Sequence, residues 1–200
     1  MYSPPQQTRA QATETRFLDA VEALLVTKSI TRLTIDEIAD HAQLSRGAFL
    51  KRFGSKKQAL VLLFRRHCDD CNDVMANIVK GLDSEGQSVL DVCTHASESF
   101  ERLLIKHFSA NRAMYELYLE ELEVHEWTKE IFLNAVSMMR EIQKKHFSGS
   151  ASSDVGAFAA AQLMVTINYN FVMKAMPGMP LDRQVRQQLI GKIMADALAL

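Results

Sequence analysis

The chain has 200 residues, of which 48% are hydrophobic, and its formal net charge is −1. This length allows one large domain or two small ones, and the apolar content is ample for a packed core. Eight glycines and four prolines indicate few turns. No run of four or more residues alternates at a period of two, so we exclude strands and predict an all-α fold.

Charge is unevenly distributed along the chain. Residues 1–66 hold 11 Lys and Arg against 6 Asp and Glu, whereas residues 67–200 hold 12 against 18. A basic front joined to an acidic rear suggests a nucleic-acid surface attached to a domain with another role, although a charge run alone is usually a solvated face. Three cysteines without a signal peptide predict a reducing, cytoplasmic location and no disulfide framework.

The first elements are an arm and a helix. Residues 1–8, with two prolines, are predicted to be a disordered arm. A first helix is predicted over residues 9–28, because apolar residues recur there at helical spacing. These residues are Phe17, Ala20, Val21, Leu24 and Leu25.

The next stretch contains three helix starts within 22 residues. Thr34 with Glu37, and Ser55 with Gln58, have the spacing of capping boxes, and Ser45 is a single N-cap. Short helices are therefore predicted at 35–42 and 46–53. Two short helices joined by a tight turn, the second small and cationic, predict a helix-turn-helix whose second helix enters the DNA major groove.

This segment resembles the DNA-binding part of TetR-family transcriptional regulators. Ten residues fall in register with the family pattern: Thr34, Ile38, Ala39, Ala42, Ser45, Gly47, Phe53, Ser55, Lys56 and Leu60. Four positions depart from it. Gln43 replaces the turn glycine, so we expect left-handed backbone there at a cost of about 1 kcal/mol. Leu50 replaces a phosphate-contacting tyrosine, Arg52 a histidine and Lys57 a glutamate.

DNA contacts are predicted from both short helices and from the helix start that follows them. Gly47 permits close approach of the backbone to DNA, and Arg46 and Lys51 reach base edges or phosphates. Helix N-termini at Thr34 and Ser45 donate to phosphates, and Lys56 matches a family phosphate contact. The predicted DNA-binding residues are Thr34, Ser45, Arg46, Gly47, Ala48, Leu50, Lys51, Arg52 and Lys56.

The rest of the chain is predicted to be helical and to match the nine-helix order of the family. Helices are expected at 56–82, 88–108, 111–125, 127–147, 154–174 and 181–200. The resulting division is a DNA-binding domain at 9–54 and an effector-binding and dimerisation domain at 55–200, with 55–82 as the connecting helix.

An effector pocket is predicted inside the rear domain, between the helices at 88–108, 111–147 and 154–174. Its mixture of rings, methionine and few polar groups suits a flat or lipophilic molecule, and carboxylates among aromatic rings would favour a cationic one. Asn168 and Asn170 form either interhelical hydrogen bonds or polar groups of the pocket. The predicted lining residues are Phe100, Leu103, His107, Met114, Tyr118, Glu121, Trp127, Gln162 and Tyr169.

Metal, redox and catalytic sites are not expected. His67, Cys68 and Cys71 share a helix face, but adjacent residues supply no further metal ligands, and packing of small side chains explains the pattern better. No nucleophile elbow, phosphate-binding loop or metalloprotease motif occurs in the sequence, so we predict a protein that is not an enzyme and needs no cofactor.

Two hypotheses remain. The first, which the resemblance favours, is a homodimeric repressor that assembles through its last two helices, binds a palindromic operator in double-stranded DNA and is released by a small-molecule effector. The second is a small-molecule-binding or redox-sensing protein with a vestigial helix-turn-helix. No membrane contact is expected, because the most apolar stretch, 155–173, carries Gln162, Thr166 and two asparagines.

Overall fold

The computed structural model describes residues 6–82, 86–118, 122–147, 154–172 and 182–200, without the side chains of 6–8 and 114–118. Within these ranges it is all-α, with nine helices and no strand, as predicted. The helices are α1 (Gln6–Leu25), α2 (Ile35–His41), α3 (Arg46–Phe53), α4 (Lys56–Gly81), α5 (Val89–Lys106), α6 (Phe108–Tyr118), α7 (Leu122–His146), α8 (Asp154–Val172) and α9 (Arg183–Leu198).

The chain forms two compact units. The first unit comprises Met1–His67 and His107–His125, and the second comprises Cys68–Lys106 and Glu126–Leu200. Helix α6 thus packs with the N-terminal helices although it follows α5 in the sequence. The functional division predicted at residue 54 is a separate matter and stays a prediction.

Three aromatic rings form the centre of the first unit. Phe17 of α1 lies 5.2 Å from Phe49 and 5.8 Å from Phe53 of α3, and the two α3 rings are 4.9 Å apart, all between ring centroids. Phe17 and Phe49 are fully buried. Because an eight-residue helix is too short to be stable alone, these contacts supply the stability that α3 lacks.

The turn between α2 and α3 has the geometry expected from its sequence. Gln43 is the one described residue other than glycine with a positive φ, at 53°. Its conformation lets the Leu44 amide donate to the Ala39 carbonyl at 2.9 Å. The Arg16 guanidinium donates to the carbonyls of Ala42 and Gln43, and so satisfies the end of α2 from α1.

Helix α6 is fastened to α1 by side chains. The Arg112 guanidinium donates to the carbonyls of Leu25, the last residue of α1, at 2.8 Å, and of Lys28, just beyond it, at 3.3 Å. His107 is buried and its Nδ1 lies 2.7 Å from a carboxylate oxygen of Glu22. Burial raises the pKa of Glu22, but His107 and Arg66 outweigh this effect and hold that pKa below its ordinary value.

In the second unit, α9 lies close against both α5 and α8. A Cβ on Gly191 would stand 2.9 Å from the backbone nitrogen of Thr94 in α5. A Cβ on Gly156 would stand 2.7 Å from the carbonyl oxygen of Ala197, which brings the start of α8 to the end of α9. Any larger residue at either glycine would force these helices apart.

A buried polar network joins the same three helices. Asn168 of α8 donates to Ser97 of α5 at 2.8 Å, and Gln187 of α9 donates to Asn168 at 3.1 Å. One turn along α5, the buried carboxylate of Glu101 accepts hydrogen bonds from Arg183, at 2.7 Å, and from Arg186. Asn168 therefore forms interhelical hydrogen bonds, which decides between the two roles open to it from sequence.

Glu101 is held ionised by its arginines. Burial would raise the pKa of Glu101, but hydrogen bonds and charge attraction from Arg186 and Arg183 hold it below the ordinary value of 4.5. The Arg186 guanidinium also stands 3.5 Å from the ring centroid of Phe171 in α8. This ion pair thus connects all three helices through one buried charge.

Several helix boundaries differ from the predicted ones. Helix α1 spans Gln6–Leu25 rather than 9–28, so the last three residues of the predicted arm are helical, and residues 1–5 lie outside the described part. Asn111 was predicted to begin a helix but lies inside α6. The predicted break at 125–127 is wrong, because α7 begins at Leu122 and no glycine or proline occurs there to stop it.

By length and composition, α8 could cross a bilayer, and no other helix in the described ranges could. Buried core helices meet the same criteria. In the second unit α8 buries Asn168 within the polar network and packs on α5 and α9, as a core helix does.

We predict that Gln43→Gly stabilises the fold. Glycine at position 43 removes the left-handed backbone strain of about 1–2 kcal/mol. Its greater freedom in the unfolded chain offsets part of this gain, so the free energy of unfolding should rise by about 0.5–1 kcal/mol. Urea unfolding followed by circular dichroism measures it. Gln43→Val should instead destabilise. A loss of stability in Gln43→Gly would contradict the strain argument.

We predict that Glu101→Gln lowers the free energy of unfolding by about 3–5 kcal/mol at neutral pH, because it leaves two arginines without their buried counter-charge. The matched control is Glu98→Gln on the same helix, whose partner Arg102 is 3.6 Å away and half exposed, and which should cost under about 0.5 kcal/mol.

The Glu101 contribution should also depend on pH. Its folded-state pKa is depressed, so its stabilisation is present above 4.5 and is lost as the pH falls through the lower folded value. Urea midpoints of wild type and Glu101→Gln should therefore converge in acid. A gap between them that stays constant from neutral pH into acid would contradict this assignment.

Candidate DNA-binding surface and effector cavity

The two helices of the predicted helix-turn-helix have the caps expected of them. Thr34 accepts from the Glu37 amide at 3.3 Å, and the Glu37 carboxylate accepts from the Thr34 amide at 3.1 Å, which completes a capping box. Ser45 accepts from the Ala48 amide at 3.1 Å. The hydroxyls of Thr34 and Ser45 thus bind backbone amides in the first turns of α2 and α3, and both residues are exposed.

Helix α3 has one buried and one exposed face. Phe49 and Phe53 point into the core, so the positions between them point outward. The exposed residues are Ser45, Arg46, Gly47, Leu50, Lys51 and Arg52, while Ala48 is half-buried. Six of the nine predicted DNA-binding residues therefore stand together on the outer face of one short helix or at its cap.

The arginines of this surface are paired with carboxylates. Arg46 contacts Asp36 of α2 at 2.8 Å, and Arg52 donates through Nε to Glu14 of α1 at 2.6 Å. The Arg46–Asp36 pair is largely exposed, and the Arg52–Glu14 pair is partly exposed. Exposed pairs contribute about 0–1 kcal/mol, so they orient the two guanidinium groups while leaving them easy to redirect.

Lys56 makes contacts that the sequence did not indicate. Its ammonium donates to the carbonyls of Ile30, at 2.6 Å, and Leu33, at 2.7 Å, in the segment between α1 and α2. The side chain is half-buried, so it orders that segment as well as carrying charge at the start of α4. Its predicted phosphate contact stays a prediction.

Helix α1 contributes to the same surface, which sequence analysis missed. Arg9, Ala10 and Thr13 line an open groove of about 320 Å3 with Ala48, Lys51 and Arg52. The sequence signal available was a cationic residue, Arg9, at the beginning of a predicted helix beside the helix-turn-helix.

Gly47 has no structural role within the protein. Its backbone φ is not positive, so its conformation does not require glycine. A Cβ at this position would meet only the Ser45 hydroxyl, at 3.9 Å, which is an ordinary contact. Glycine inside a helix costs about 1 kcal/mol relative to alanine. Packing does not require glycine at position 47, and glycine lowers the stability of the helix there. Its presence on an exposed cationic surface is explained if an external partner approaches the backbone closely.

The second unit contains a small apolar cavity of about 10 Å3. Four helices line it, each through one apolar face. The lining residues are Cys71, Val74, Met75 and Ile78 of α4, Ala96, Phe100 and Leu103 of α5, Ile131, Ala135 and Met138 of α7, and Met164 of α8. Phe100 and Leu103 were predicted pocket residues. The others were missed, although the α4 residues recur at helical spacing.

The other predicted pocket residues whose side chains are described do not line this cavity. His107 lies in the first unit beside Glu22. Gln162 is exposed and donates to Thr166 at 2.8 Å, and Trp127 and Tyr169 are half-buried. The side chains of Met114 and Tyr118, and all of Glu121, lie outside the described residues. Whether these seven residues contact an effector stays a prediction.

The cysteines have the properties of buried core residues. Cys68, Cys71 and Cys93 are buried, and none of them forms a disulfide. Burial raises the pKa of Cys71 to about 12, with a further contribution from Asp70, and burial raises the pKa of Cys93 to about 12. Both side chains are therefore neutral thiols of low reactivity at neutral pH. Among the described residues, no group of three His, Cys, Asp or Glu could hold a metal ion.

Helices α8 and α9 carry exposed apolar side chains. Val155 is 68% and Phe158 51% exposed on α8, and Val185 is 54% and Leu189 41% exposed on α9. Val185 and Leu189 also border an open groove of about 650 Å3 between α5 and α9. The two helices pack antiparallel, so Val155 and Phe158 lie near the end of α9 while Val185 and Leu189 lie nearer its start. We take these exposed apolar side chains together as a candidate protein-binding surface, the α8–α9 surface.

Comparison with known proteins agrees with this geometry. Residues 17–62 match the family model for bacterial regulatory proteins of the tetR family. A search of curated protein sequences finds no significant match. The match region contains the end of α1, both helices of the helix-turn-helix and the start of α4.

Solved structures extend the likeness to nearly the whole chain. A protein assigned to the TetR family from Mesorhizobium loti is 14% identical, with a TM-score of 0.74, over 95% of this chain and 96% of that one. A tetR-family transcriptional regulator from Streptomyces coelicolor is 13% identical, with a TM-score of 0.74, over 94% and 81%.

A TetR family transcription regulator from Marinobacter aquaeolei VT8 is 15% identical, with a TM-score of 0.67, over 96% of this chain and 98% of that one. At such identities these structures establish the fold alone. Residues 17–62 thus carry the tetR-family segment, and the chain as a whole has the TetR-family transcriptional regulator fold.

Proposed function

We propose that this chain is a homodimeric transcriptional repressor, which binds a palindromic operator in double-stranded DNA and is released from it by a small-molecule effector. The observation that carries the proposal is the exposed face of α3 within the matched segment 17–62. Gly47 and Lys51 lie opposite the buried Phe49 and Phe53, and Arg46 and Leu50 are exposed beside them.

Each part of this face has a proposed role. Lys51 and Arg46 contact base edges in the major groove, where cationic donors recognise guanine. Arg52 and Lys56 contact phosphates, together with the N-termini of α2 at Thr34 and of α3 at Ser45. Ala48 and Leu50 supply apolar surface toward the groove. Leu50 is 38% exposed, so it is available to a partner although it cannot bond to a phosphate.

Dimerisation through α8 and α9 is proposed from their exposed apolar residues. A helix pair that leaves four large apolar side chains exposed is suited to meeting a second copy about a two-fold axis. A dimer presents two copies of α3, which is what a palindromic operator requires.

Effector response is proposed from the cavity of the second unit. Helix α4 runs without a break from Lys56 to Gly81, so one helix both starts next to α3 in the sequence and lines the cavity with Cys71 to Ile78. If a ligand favours one arrangement of α4 and the operator another, each must weaken binding of the other by the same factor.

The test is binding to DNA selected by the purified chain from a random pool. We expect an enriched palindromic sequence and gel retardation that weakens steeply with salt, because phosphate contacts release counterions. The competing hypothesis, a ligand-binding or redox protein with a vestigial helix-turn-helix, predicts no enrichment and no site-specific retardation.

Gly47→Ala should separate DNA binding from stability. We expect the free energy of unfolding to rise by about 0.5–1 kcal/mol, because alanine favours the helix, while affinity for the selected DNA falls about tenfold or more as the methyl group obstructs backbone approach. Gly81→Ala, at the exposed end of α4, is the matched control and should leave DNA affinity unchanged. If Gly47→Ala bound the selected DNA as tightly as the wild type, α3 would not be part of the DNA interface.

Charge placed on the α8–α9 surface should prevent dimerisation. We expect Phe158→Glu or Leu189→Glu to give monomers at micromolar concentration in sedimentation velocity, because each would bury a carboxylate without a partner. Leu133→Glu is the control, since Leu133 is also 54% exposed but lies on α7. A wild-type monomer, or a dimer lost equally in Leu133→Glu, would contradict this interface.

A further inference from the structure

The cavity of the second unit has no charged side chain among its described lining residues. Ten of the eleven are aliphatic, aromatic or methionine side chains, and the other is Cys71. The Cys71 thiol is neutral, because burial raises its pKa to about 12. A ligand inside this cavity would therefore meet neither a counter-charge nor a strong hydrogen-bond donor.

Polar side chains that adjoin lining residues in the sequence are bonded to other polar side chains. Asn134 of α7 donates to Asn72 of α4 at 3.0 Å, and both residues adjoin lining residues in the sequence. On α5, Ser97 belongs to the network with Asn168 and Gln187 rather than to the cavity. A charged ligand group would have to break one of these pairs or remain uncompensated in an apolar site, and either outcome is costly.

The cavity is almost filled by its own lining side chains in this structure. Its volume of about 10 Å3 accommodates roughly one water molecule, so a larger ligand must displace lining side chains. Met75, Met138 and Met164, from three different helices, line it. Methionine is unbranched and changes rotamer easily, which lets such a lining repack around an apolar molecule.

Building on the function proposed above, we infer that the effector is an uncharged, lipophilic molecule, which opens this cavity by displacing its methionine side chains. The sequence left open both an uncharged lipophilic ligand and a lipophilic cation. The cavity disfavours the cation, because no carboxylate is among the described lining residues. The cavity likewise disfavours fatty-acid anions, because no Arg, Lys or His lines it within the described chain.

The test compares three ligands that share a decyl chain and differ in head-group charge: decanol, decanoate and decyltrimethylammonium. Each displaces Nile red, an uncharged fluorescent dye, from the purified full-length protein without DNA. We expect decanol to bind about tenfold or more tightly than either ion, because only the ions bring an uncompensated charge. Equal or tighter binding of either ion would overturn the inference.

Two methionine variants test the location. Met138→Ala enlarges the cavity and should tighten decanol binding about threefold or more, because less side-chain displacement is then needed. Met139→Ala is the matched control: its side chain is equally buried on the same helix but does not line the cavity. No gain in Met138→Ala, or the same gain in both variants, would exclude this cavity as the site.

DNA measurements separate this inference from the proposed function. If decanol binds as expected and also lowers operator affinity, both stand. If the protein binds no specific DNA, the repressor proposal fails while the ligand preference, measured without DNA, is unaffected. If DNA binding is specific but decanol leaves its affinity unchanged, the cavity is not the effector site and the inference fails alone.

Discussion

The packing of Phe17 against Phe49 and Phe53 is the contact on which the candidate DNA-binding surface depends. A helix as short as α3 has no independent stability, and these rings both hold it and fix its rotation. Because Phe49 and Phe53 are one turn apart and buried, Gly47 and Lys51 on the opposite side of the helix must face outward. The exposure of Gly47 and Lys51 is thus a consequence of the core, whereas Arg46 is exposed at the first position of the helix.

Helix α5 is central to the second unit in the way that the three rings are central to the first, because one of its faces makes apolar contacts and the other makes polar ones. Phe100 and Leu103 line the apolar cavity, while Ser97 and Glu101 join the polar network with α8 and α9. Breaking the buried ion pair costs far more than removing a surface pair, so the network defines one packing of these helices. The apolar face carries no such constraint and can repack around a ligand.

Local signals in the sequence predicted the local structure well. The cap at Thr34, the cap at Ser45 and the left-handed backbone at Gln43 all depend on neighbouring residues, and all were found. Interactions across the fold could not be predicted in this way. Nothing near Glu101 in the sequence indicates burial, because Arg183 and Arg186 lie more than eighty residues away. The cavity on α4 was missed for the same reason, since its apolar pattern equally fits an ordinary core.

The ion pairs around α3 determine how this surface would meet DNA. Asp36 and Glu14 hold Arg46 and Arg52 toward α2 and α1, so the two arginines are oriented before any partner arrives. Pairs this exposed contribute little stability, and phosphate gives arginine charge-assisted hydrogen bonds of the same kind as carboxylate does. Exchanging a carboxylate partner for a phosphate therefore costs little, and release of counterions from DNA favours it. The released carboxylates would then lie close to the DNA polyanion. Placements of the protein on DNA that bring no phosphate within reach of the arginine would therefore be disfavoured. In this way Asp36 and Glu14 would add to selectivity for the correct register on the operator.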